Sequence, residues 1–507
     1  MDRRRILINS IMSVLQIAVV SGVLFFLYKF LLNTIGAEKF GIWSLVLAAT
    51  AVTQIADLGL SGGVVKFVAK YIARKEDKNV SEIIQTAVLT IGITVGFVLI
   101  IAYPFIKWVL RYIMPTELFF LASAILPFAF LALWLCVITS LFQSGLDGFQ
   151  RFDIRSSLLM AGAILHLLLC FWLIPKYGLL GLAYAKVIQN ASVLAASWFF
   201  LRRLIPSLPA VPVKWNRSLF KEMIGYSVNF QIISIASMLY DPITKALLSK
   251  FGNLSMVGYY QMASKMIQKL HALIIAANQV LVPAIAGLKE KTPEKIQQVY
   301  LLSYRLLFYL VFPLYSLIII SLPFISKIWI GYYERSFIVY AALLSVGWLL
   351  NTLASPAYHA NLGIGKLRWN VVGMLATALL NVILGVLLGI FYHGMGVVIA
   401  WMLSLALGSS IIYISYHIHH KISFQELFPK SSRTHMAVCF LGILSALLIY
   451  WQLSPVLNIL ILNLLSIIVF ISIIFIPYWR HPMRKTLMSW IQKEFFKSRQ
   501  KNKSLSI

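Results

Sequence analysis

Acidic residues are scarce in this 507-residue sequence, which has 16 Asp and Glu against 44 Lys and Arg. All charged residues together make up only 12% of the chain, about half of what a soluble domain carries. The three cysteines, Cys136, Cys170 and Cys439, stand alone in apolar runs, so neither a disulfide nor a metal cluster is expected. We find no paired carboxylates and no nucleophile beside a base. The sequence therefore predicts a non-enzymatic protein without cofactor or metal.

Apolar residues fill most of the chain. They account for 60% of it, and the mean hydropathy is +0.86. They form about fourteen runs that are long enough to cross a bilayer as helices. The predicted fold is an all-α, multi-pass membrane protein with about 14 transmembrane helices and little room for a soluble domain.

The net charge of +28 lies mostly in short connections between apolar runs. Lys and Arg concentrate at the N-terminus, in alternate connections and in the C-terminal tail. The positive-inside rule then places both termini in the cytoplasm, and an even number of spans agrees with this. Anionic membrane lipids explain such charge better than nucleic acid does, so no nucleic-acid partner is expected. We expect the bacterial cytoplasmic (inner) membrane as the location.

An internal repeat is visible at an offset of about 216 residues. The aligned pairs are 29–36 with 245–252, Gly41 with Gly258, 148–153 with 365–370, and Gly181 with Gly396. The offset predicts two parallel six-helix repeats, a plan typical of secondary transporters. The predicted boundaries are an N-terminal lobe over 1–210, a C-terminal lobe over 211–430, two additional helices over 431–480, and a basic cytoplasmic tail over 481–507.

A polar stripe follows one side of the seventh apolar run. It comprises Ser227, Gln231, Ser234, Met238, Asp241 and Lys245, which recur at helical spacing. A helix that faces only lipid would not keep such a stripe, because each uncompensated polar group in hydrocarbon costs free energy. The stripe must face protein or water, and we interpret it as one wall of a transport pathway.

Two lysines occupy the same position in the two repeats. Lys29 and Lys245 both lie near the predicted outer end of the first helix of their half. Facing a common seam, they could bind an anion together. Alternatively, each lysine extends to the outer headgroups, and Lys245 could pair with Asp241 one turn before it.

The eighth apolar run gives the sharpest signal for a ligand. Gln261, Lys265 and Gln268 share a helix face, with Lys269 beside it. Lys265 falls near mid-membrane, where an ammonium group costs at least about 2.5 kcal/mol. We interpret Lys265 and Lys269 as lining a hydrated cavity that binds phosphate. The alternative is that they satisfy helix carbonyls or a buried carboxylate, although carboxylates are scarce.

The second apolar run continues into a basic amphipathic segment. Asp57 either binds a coupling cation or stabilises a bend near Gly62 and Gly63. Further along, one helical face carries the basic residues Lys66, Lys70 and Arg74. This face could collect anionic headgroups at the cytoplasmic side, or it could be a solvated loop.

The opening of the chain resembles a known family. The segments are IGAEKFGIWSL at 35–45, DLGLS at 57–61 and KFVAK at 66–70. They are similar to the polysaccharide transporters, which include Wzx-type O-antigen flippases, in the multidrug/oligosaccharidyl-lipid/polysaccharide exporter superfamily. The resemblance implies two six-helix lobes around a central cavity that opens to alternate sides. It also implies a polyprenyl-pyrophosphate-linked oligosaccharide as substrate, and a cavity lined by the helices that carry Lys29, Asp57, Lys245, Lys265 and Lys269.

The favoured hypothesis is a flippase that moves this lipid-linked oligosaccharide to the outer leaflet for surface polysaccharide synthesis. A cation-coupled multidrug antiporter of the same superfamily is the first alternative, but lysines rather than carboxylates mark the predicted cavity. A membrane polysaccharide polymerase or ligase is the second, and the short outer connections count against it. We expect a functional monomer whose partners are the lipid-linked oligosaccharide, anionic lipids and other polysaccharide-assembly membrane proteins.

Overall fold

A computed structural model of the chain describes residues 3–51, 60–74, 76–209, 211–223, 240–278, 281, 285, 288–289, 292–454, 457–486 and 488–489. Its helices, in chain order, are α1 (Arg3–Ala51), α2 (Leu60–Ala73), α3 (Asp77–Ile113), α4 (Thr116–Gly148), α5 (Phe152–Leu204), α6 (Tyr240–Phe251), α7 (Leu254–Asn278), α8 (Lys295–Trp329), α9 (Arg335–Ile364), α10 (Arg368–His419), α11 (Phe424–Leu427), α12 (Lys430–Leu453) and α13 (Ile459–Arg480).

The prediction of an all-α membrane protein is confirmed. These residues contain no strand, and nine of their helices are long and apolar enough to cross a membrane. Helices suit such a sequence because each one satisfies its own backbone hydrogen bonds, for which the hydrocarbon core offers no water. The predicted number of 14 transmembrane helices stays a prediction.

Two of the longest helices are bent at their centres. The 53-residue α5 contains Gly178 in a non-helical conformation, with φ 56° and ψ −129°. The 52-residue α10 contains His393, with φ 53° and ψ −142°. A straight helix of this length would be about 80 Å long, more than twice the thickness of the hydrocarbon core. Each bend therefore divides its helix into two segments of spanning length.

The two bends share their local geometry. Gly178 and His393 are 215 residues apart, as are the glycines that follow them, Gly181 and Gly396. A Cβ atom built on Gly181 would meet the carbonyl oxygen of Leu173 at 2.4 Å, and one on Gly396 would meet that of Leu388 at 1.9 Å. The starts of α5 and α10, at Phe152 and Arg368, are 216 residues apart. These spacings match the offset seen in the sequence, and the predicted two-lobe division at 210 and 430 stays a prediction.

The described chain forms two compact units. The first comprises residues 1–262 and 380–398. In it α4 packs against α3 and α5, and the indole Nε1 of Trp134 donates to the carbonyl oxygen of Gly92 at 2.9 Å. The connection after α5 lies along α3, where the Gln85 side-chain oxygen accepts from the backbone nitrogens of Val213 and Lys214 at 3.2 and 3.1 Å.

Two repeat-related glycines meet within this first unit. A Cβ atom on Gly41 would lie 1.7 Å from the carbonyl oxygen of Leu254, and one on Gly258 would lie 2.6 Å from that of Ala37. Each glycine faces the residue four positions before the other glycine, as in a two-fold symmetric contact. Ala37 and Leu254 are separated by the same 217 residues as Gly41 and Gly258. Glycine is needed at both positions because only its missing Cβ lets the backbones of α1 and α7 approach this closely.

The second unit comprises residues 263–379 and 399–507. Its core contains stacked tyrosines of α8, Tyr300 and Tyr304, together with Leu353 of α9 and Tyr416 of α10. Helices α12 and α13 pack on α8. A second apolar cluster marks that contact, comprising Ile320, Cys439, Ala446, Phe470 and Ile474.

Candidate functional site

Helix α7 combines membrane-spanning length with a polar face. Its 25 residues extend about 37 Å at helical rise. It is nevertheless absent from the nine apolar spanning helices of the described chain, because its Gln, Lys and His side chains lower its hydropathy. Lys265 lies 11 residues after the first residue, Leu254, or about 16 Å along the axis. The helix therefore carries a positive charge near its middle.

A short chain of hydrogen bonds organises the polar face of α7. The Lys265 ammonium donates to the side-chain oxygen of Gln268 at 3.4 Å, and the amide nitrogen of Gln268 donates to Ser264 Oγ at 2.9 Å. Lys265 is half-buried, whereas Lys269, one turn further, is exposed. Neither lysine is thus fully buried.

The opposite side of α7 is fixed by neighbouring helices of the second unit. His271 Nδ1 lies 3.0 Å from Thr352 Oγ1, and its ring lies 4.3 Å from that of Trp348. His271 is two residues beyond Lys269, which places the two side chains on nearly opposite faces of the helix. Because the histidine face packs on α9, the lysine face points away from that contact.

The two lysines have no acidic partner among the residues that the structure covers. The four salt bridges found there include neither Lys265 nor Lys269. Like charges four residues apart on a helix repel each other by a few tenths of a kcal/mol. This unfavourable pair at mid-helix has no counter-charge within the described chain, and it would be stabilised by a bound anion.

The lysine of helix α6, Lys245, differs from those of α7 because it has an acidic partner. The Lys245 ammonium lies 2.6 Å from the Asp241 carboxylate, and the Lys245 side chain is only 3% exposed. In this structure the ammonium of Lys245 is engaged by Asp241 and is closed to solvent. The predicted role of this pair in substrate binding stays a prediction.

Around α6, further polar groups are satisfied within the first unit. Gln261 Nε2 donates to the Tyr28 hydroxyl at 3.3 Å. Asn381, which is fully buried, donates to Thr244 Oγ1 at 3.1 Å and to the Tyr240 carbonyl at 3.4 Å. Neither Asn381 nor Tyr28 was predicted from the sequence; a lone asparagine within an apolar run was the available signal for the first.

The remaining predicted residues are distributed along the chain. Lys29 lies in α1, half-buried, seven residues before the bend at Gly36. Asp57, Gln231 and Ser234 lie outside the described residues. The structure thus brings Asp241 and Lys245 into contact in one unit, and places Lys265, Gln268 and Lys269 together on α7.

The basic face of α2 is partly neutralised. The Lys70 ammonium lies 2.6 Å from a Glu222 carboxylate oxygen, and the Tyr71 hydroxyl donates to the other oxygen at 3.0 Å. The hydrogen bond from Lys70 lowers the pKa of Glu222 below its usual value. Lys66 on the same helix and Arg74, just after its end, are exposed. A role for Lys66, Lys70 and Arg74 in headgroup entry stays a prediction.

Solved structures of other proteins share the fold of this chain. Lipid II flippase MurJ in an inward closed conformation superposes with a TM-score of 0.70 over 93% of this chain and 98% of that chain, at 13% identity. An inward-facing multidrug resistance MATE family transporter of the MOP superfamily gives a TM-score of 0.69 over 80% of this chain and 99% of that chain, at 14% identity. This chain therefore has the fold of a MOP superfamily transporter.

The family follows from the sequence. Residues 34–333, more than half of the chain, match the family model described as polysaccharide biosynthesis protein. The chain belongs to this family, and the resemblance seen in its opening segments is confirmed. A candidate O-antigen transporter of Shigella flexneri is 22% identical over 352 residues, which cover 66% of this chain and 80% of that protein.

Proposed function

We propose that this protein is a flippase, which moves a polyprenyl-pyrophosphate-linked oligosaccharide from the cytoplasmic to the outer leaflet by alternating access. The observation that carries the proposal is the pair Lys265 and Lys269, two neighbouring ammonium groups with no carboxylate within salt-bridge distance in the part of the chain that the structure covers. The family membership and the Shigella flexneri relative support a saccharide cargo.

The chemistry of the cargo fits this site. A pyrophosphate carries several negative oxygens, and charge-assisted hydrogen bonds from two ammonium groups would stabilise it. Lysine acts as a compact point charge with rotatable donors, so it can follow a phosphate that changes position during transport. Gln268, which already bonds Lys265, adds an amide that can exchange hydrogen bonds with sugar hydroxyls.

Charge removal tests the assignment. Lys265→Gln and Lys269→Gln, each expressed in a strain that lacks the gene, are expected to lose at least about tenfold in surface polysaccharide, because a charged hydrogen bond contributes about 1.5–3 kcal/mol. Lys265→Arg and Lys269→Arg keep the positive charge, and strains that carry them are expected to retain most of the surface polysaccharide. Lys250→Gln is the matched control, since Lys250 lies at the end of the neighbouring helix, 4.0 Å from the Tyr112 ring.

The readouts separate the two transporter hypotheses. Immunoblots establish that each variant is made, and proteoliposomes with a fluorescent lipid-linked oligosaccharide report flipping directly. Wild-type polysaccharide levels in both glutamine variants would refute the role of the lysines. A deletion strain with altered drug resistance and intact surface polysaccharide would instead favour a multidrug antiporter.

A further inference from the structure

Two equivalent turns of the repeat differ in how their cations are neutralised. The turn between α4 and α5 carries Arg151, whose guanidinium lies 3.0 Å from the Asp153 carboxylate. Arg155, just beyond, lies 2.6 Å from Asp147. Both arginines of this first turn thus have a carboxylate partner, and little net charge remains for a ligand.

The turn between α9 and α10 lacks those carboxylates. Asn370 stands where the repeat has Asp153 in the first half. It is fully buried, accepts from Asn361 Nδ2 at 2.9 Å and donates to the Tyr358 carbonyl at 3.0 Å, so it turns away from the basic residues. Neither Lys366 nor Arg368 takes part in a salt bridge of the described residues. The Lys366 ammonium lies 3.1 Å from His419 Nε2 instead.

A cavity of about 410 Å³ opens beside these cations. Its lining includes Lys366, Arg368, Trp369, Tyr416, His419 and His420. This volume lies within the range of small-molecule sites, of about 300–1,000 Å³. The described residues that line the cavity include no acidic side chain. Burial lowers the pKa of His420, and the neighbouring His419 and Lys366 lower it further. The fixed positive charges at this cavity are therefore those of Lys366 and Arg368.

The position of the cavity indicates where the anion comes from. The positive-inside rule predicts the cytoplasmic side for this turn, where anionic lipids concentrate. Trp369, in the first turn of α10, is 43% exposed, and Val372, one turn further, is 37% exposed. An exposed indole followed by apolar side chains is typical of a helix that crosses the headgroup region into the acyl chains. The cavity is therefore expected at the depth of a lipid phosphate.

We propose that the cavity between the α9–α10 turn and the end of α10 binds the phosphate of an anionic membrane phospholipid. The Arg368 guanidinium offers paired donors to two phosphate oxygens, and Lys366 supplies a movable ammonium group. The carbon chains of the lipid would leave the cavity along Trp369 and Val372. This site is separate from the cargo site proposed on α7, and it does not depend on the identity of the cargo.

Native mass spectrometry of the full chain tests the proposal. The purified protein is equilibrated with equimolar phosphatidylglycerol and phosphatidylcholine, and the bound ratio is measured. Wild-type protein is expected to retain phosphatidylglycerol. Basic residues near a membrane surface each strengthen binding about fivefold, so Lys366→Gln with Arg368→Gln should lower the retained fraction about 25-fold. Arg151→Gln, at the equivalent position in the first turn, should leave it unchanged.

Further variants keep the result decisive. Lys366→Arg with Arg368→Lys preserves both charges and is expected to retain the lipid, and circular dichroism verifies the helical content of each variant. Should the double glutamine variant fail to fold, each single variant is expected to lose about fivefold. Undiminished phosphatidylglycerol in the folded charge-removed variants would overturn the site. Displacement of the lipid by excess inorganic phosphate would show that the ligand is a soluble phosphate, and would overturn the lipid assignment.

Discussion

The contact between Gly41 and Gly258 gives a prediction whose size follows from the structure. An alanine Cβ at 41 would lie 1.7 Å from the Leu254 carbonyl oxygen, whereas ordinary contacts are 3.4–4 Å. The backbones of α1 and α7 would therefore have to separate by about 1.7 Å or rotate. Overpacking of this kind costs about 1–3 kcal/mol. We expect Gly41→Ala and Gly258→Ala each to lower the free energy of unfolding by that amount, which is measured as a lower melting temperature of the detergent-solubilised protein.

A glycine in the same helix provides the control. A Cβ atom on Gly22 would meet nothing within 4 Å. Because alanine favours a helix over glycine by up to about 1 kcal/mol, Gly22→Ala should leave stability unchanged or raise it. The double variant Gly41→Ala/Gly258→Ala should cost less than the sum of the single changes, since one separation of the helices accommodates both methyl groups. If Gly41→Ala, Gly258→Ala and the double variant all melted at the same temperature as Gly22→Ala, the close contact would be refuted.

Two further predictions concern ion pairs. Lys245→Met leaves the Asp241 carboxylate without its ammonium partner and is expected to destabilise the protein by about 3–5 kcal/mol. The double variant Lys245→Met/Asp241→Asn should recover most of this loss. Equal melting temperatures of the single and double variants would contradict the prediction. The second is a pH effect. Glu222 has a lowered pKa, so its pairing with Lys70 contributes stability above the unfolded pKa of about 4.3 and loses it as pH falls through the lower folded value. The raised pKa of Lys70 extends the contribution up to about pH 10. The melting temperatures of the wild type and of Glu222→Gln should differ near neutral pH and converge in acid. A difference that persists at about pH 2–3 would exclude the Lys70–Glu222 pair as its source.

The sequence predicted the fold class because membrane helices leave a strong one-dimensional signal. Runs of about 20 apolar residues, and lysines and arginines in alternate connections, follow from the thickness and charge of the bilayer rather than from tertiary packing. The bends at Gly178 and His393 were harder to predict. Only Gly178 has a residue type that signals a positive φ, and His393 adopts the same conformation without that signal.

The candidate site was only partly predictable. Helical spacing placed Lys265 and Gln268 on one face, and the two side chains are hydrogen-bonded in the structure, because side-chain direction on a helix depends on local geometry alone. Burial depends on neighbours that are far apart in sequence. The sequence could offer the Asp241 pairing of Lys245 only as an alternative, and Asn381, 137 residues beyond Thr244, could not be connected to α6 by any local pattern.

The scarcity of acidic residues connects these observations. A chain with 16 carboxylates and 44 Lys and Arg cannot pair every cation internally. One of those carboxylates, Asp241, lies beside a buried lysine, where an unpaired ammonium would be most costly. Others, at Asp147 and Asp153, neutralise the turn between α4 and α5. The cations on α7 and in the second turn have no such partner among the described residues. Under the two proposals made above, the cations on α7 and beside Asn370 bind two different phosphates, one carried across the membrane and one belonging to it.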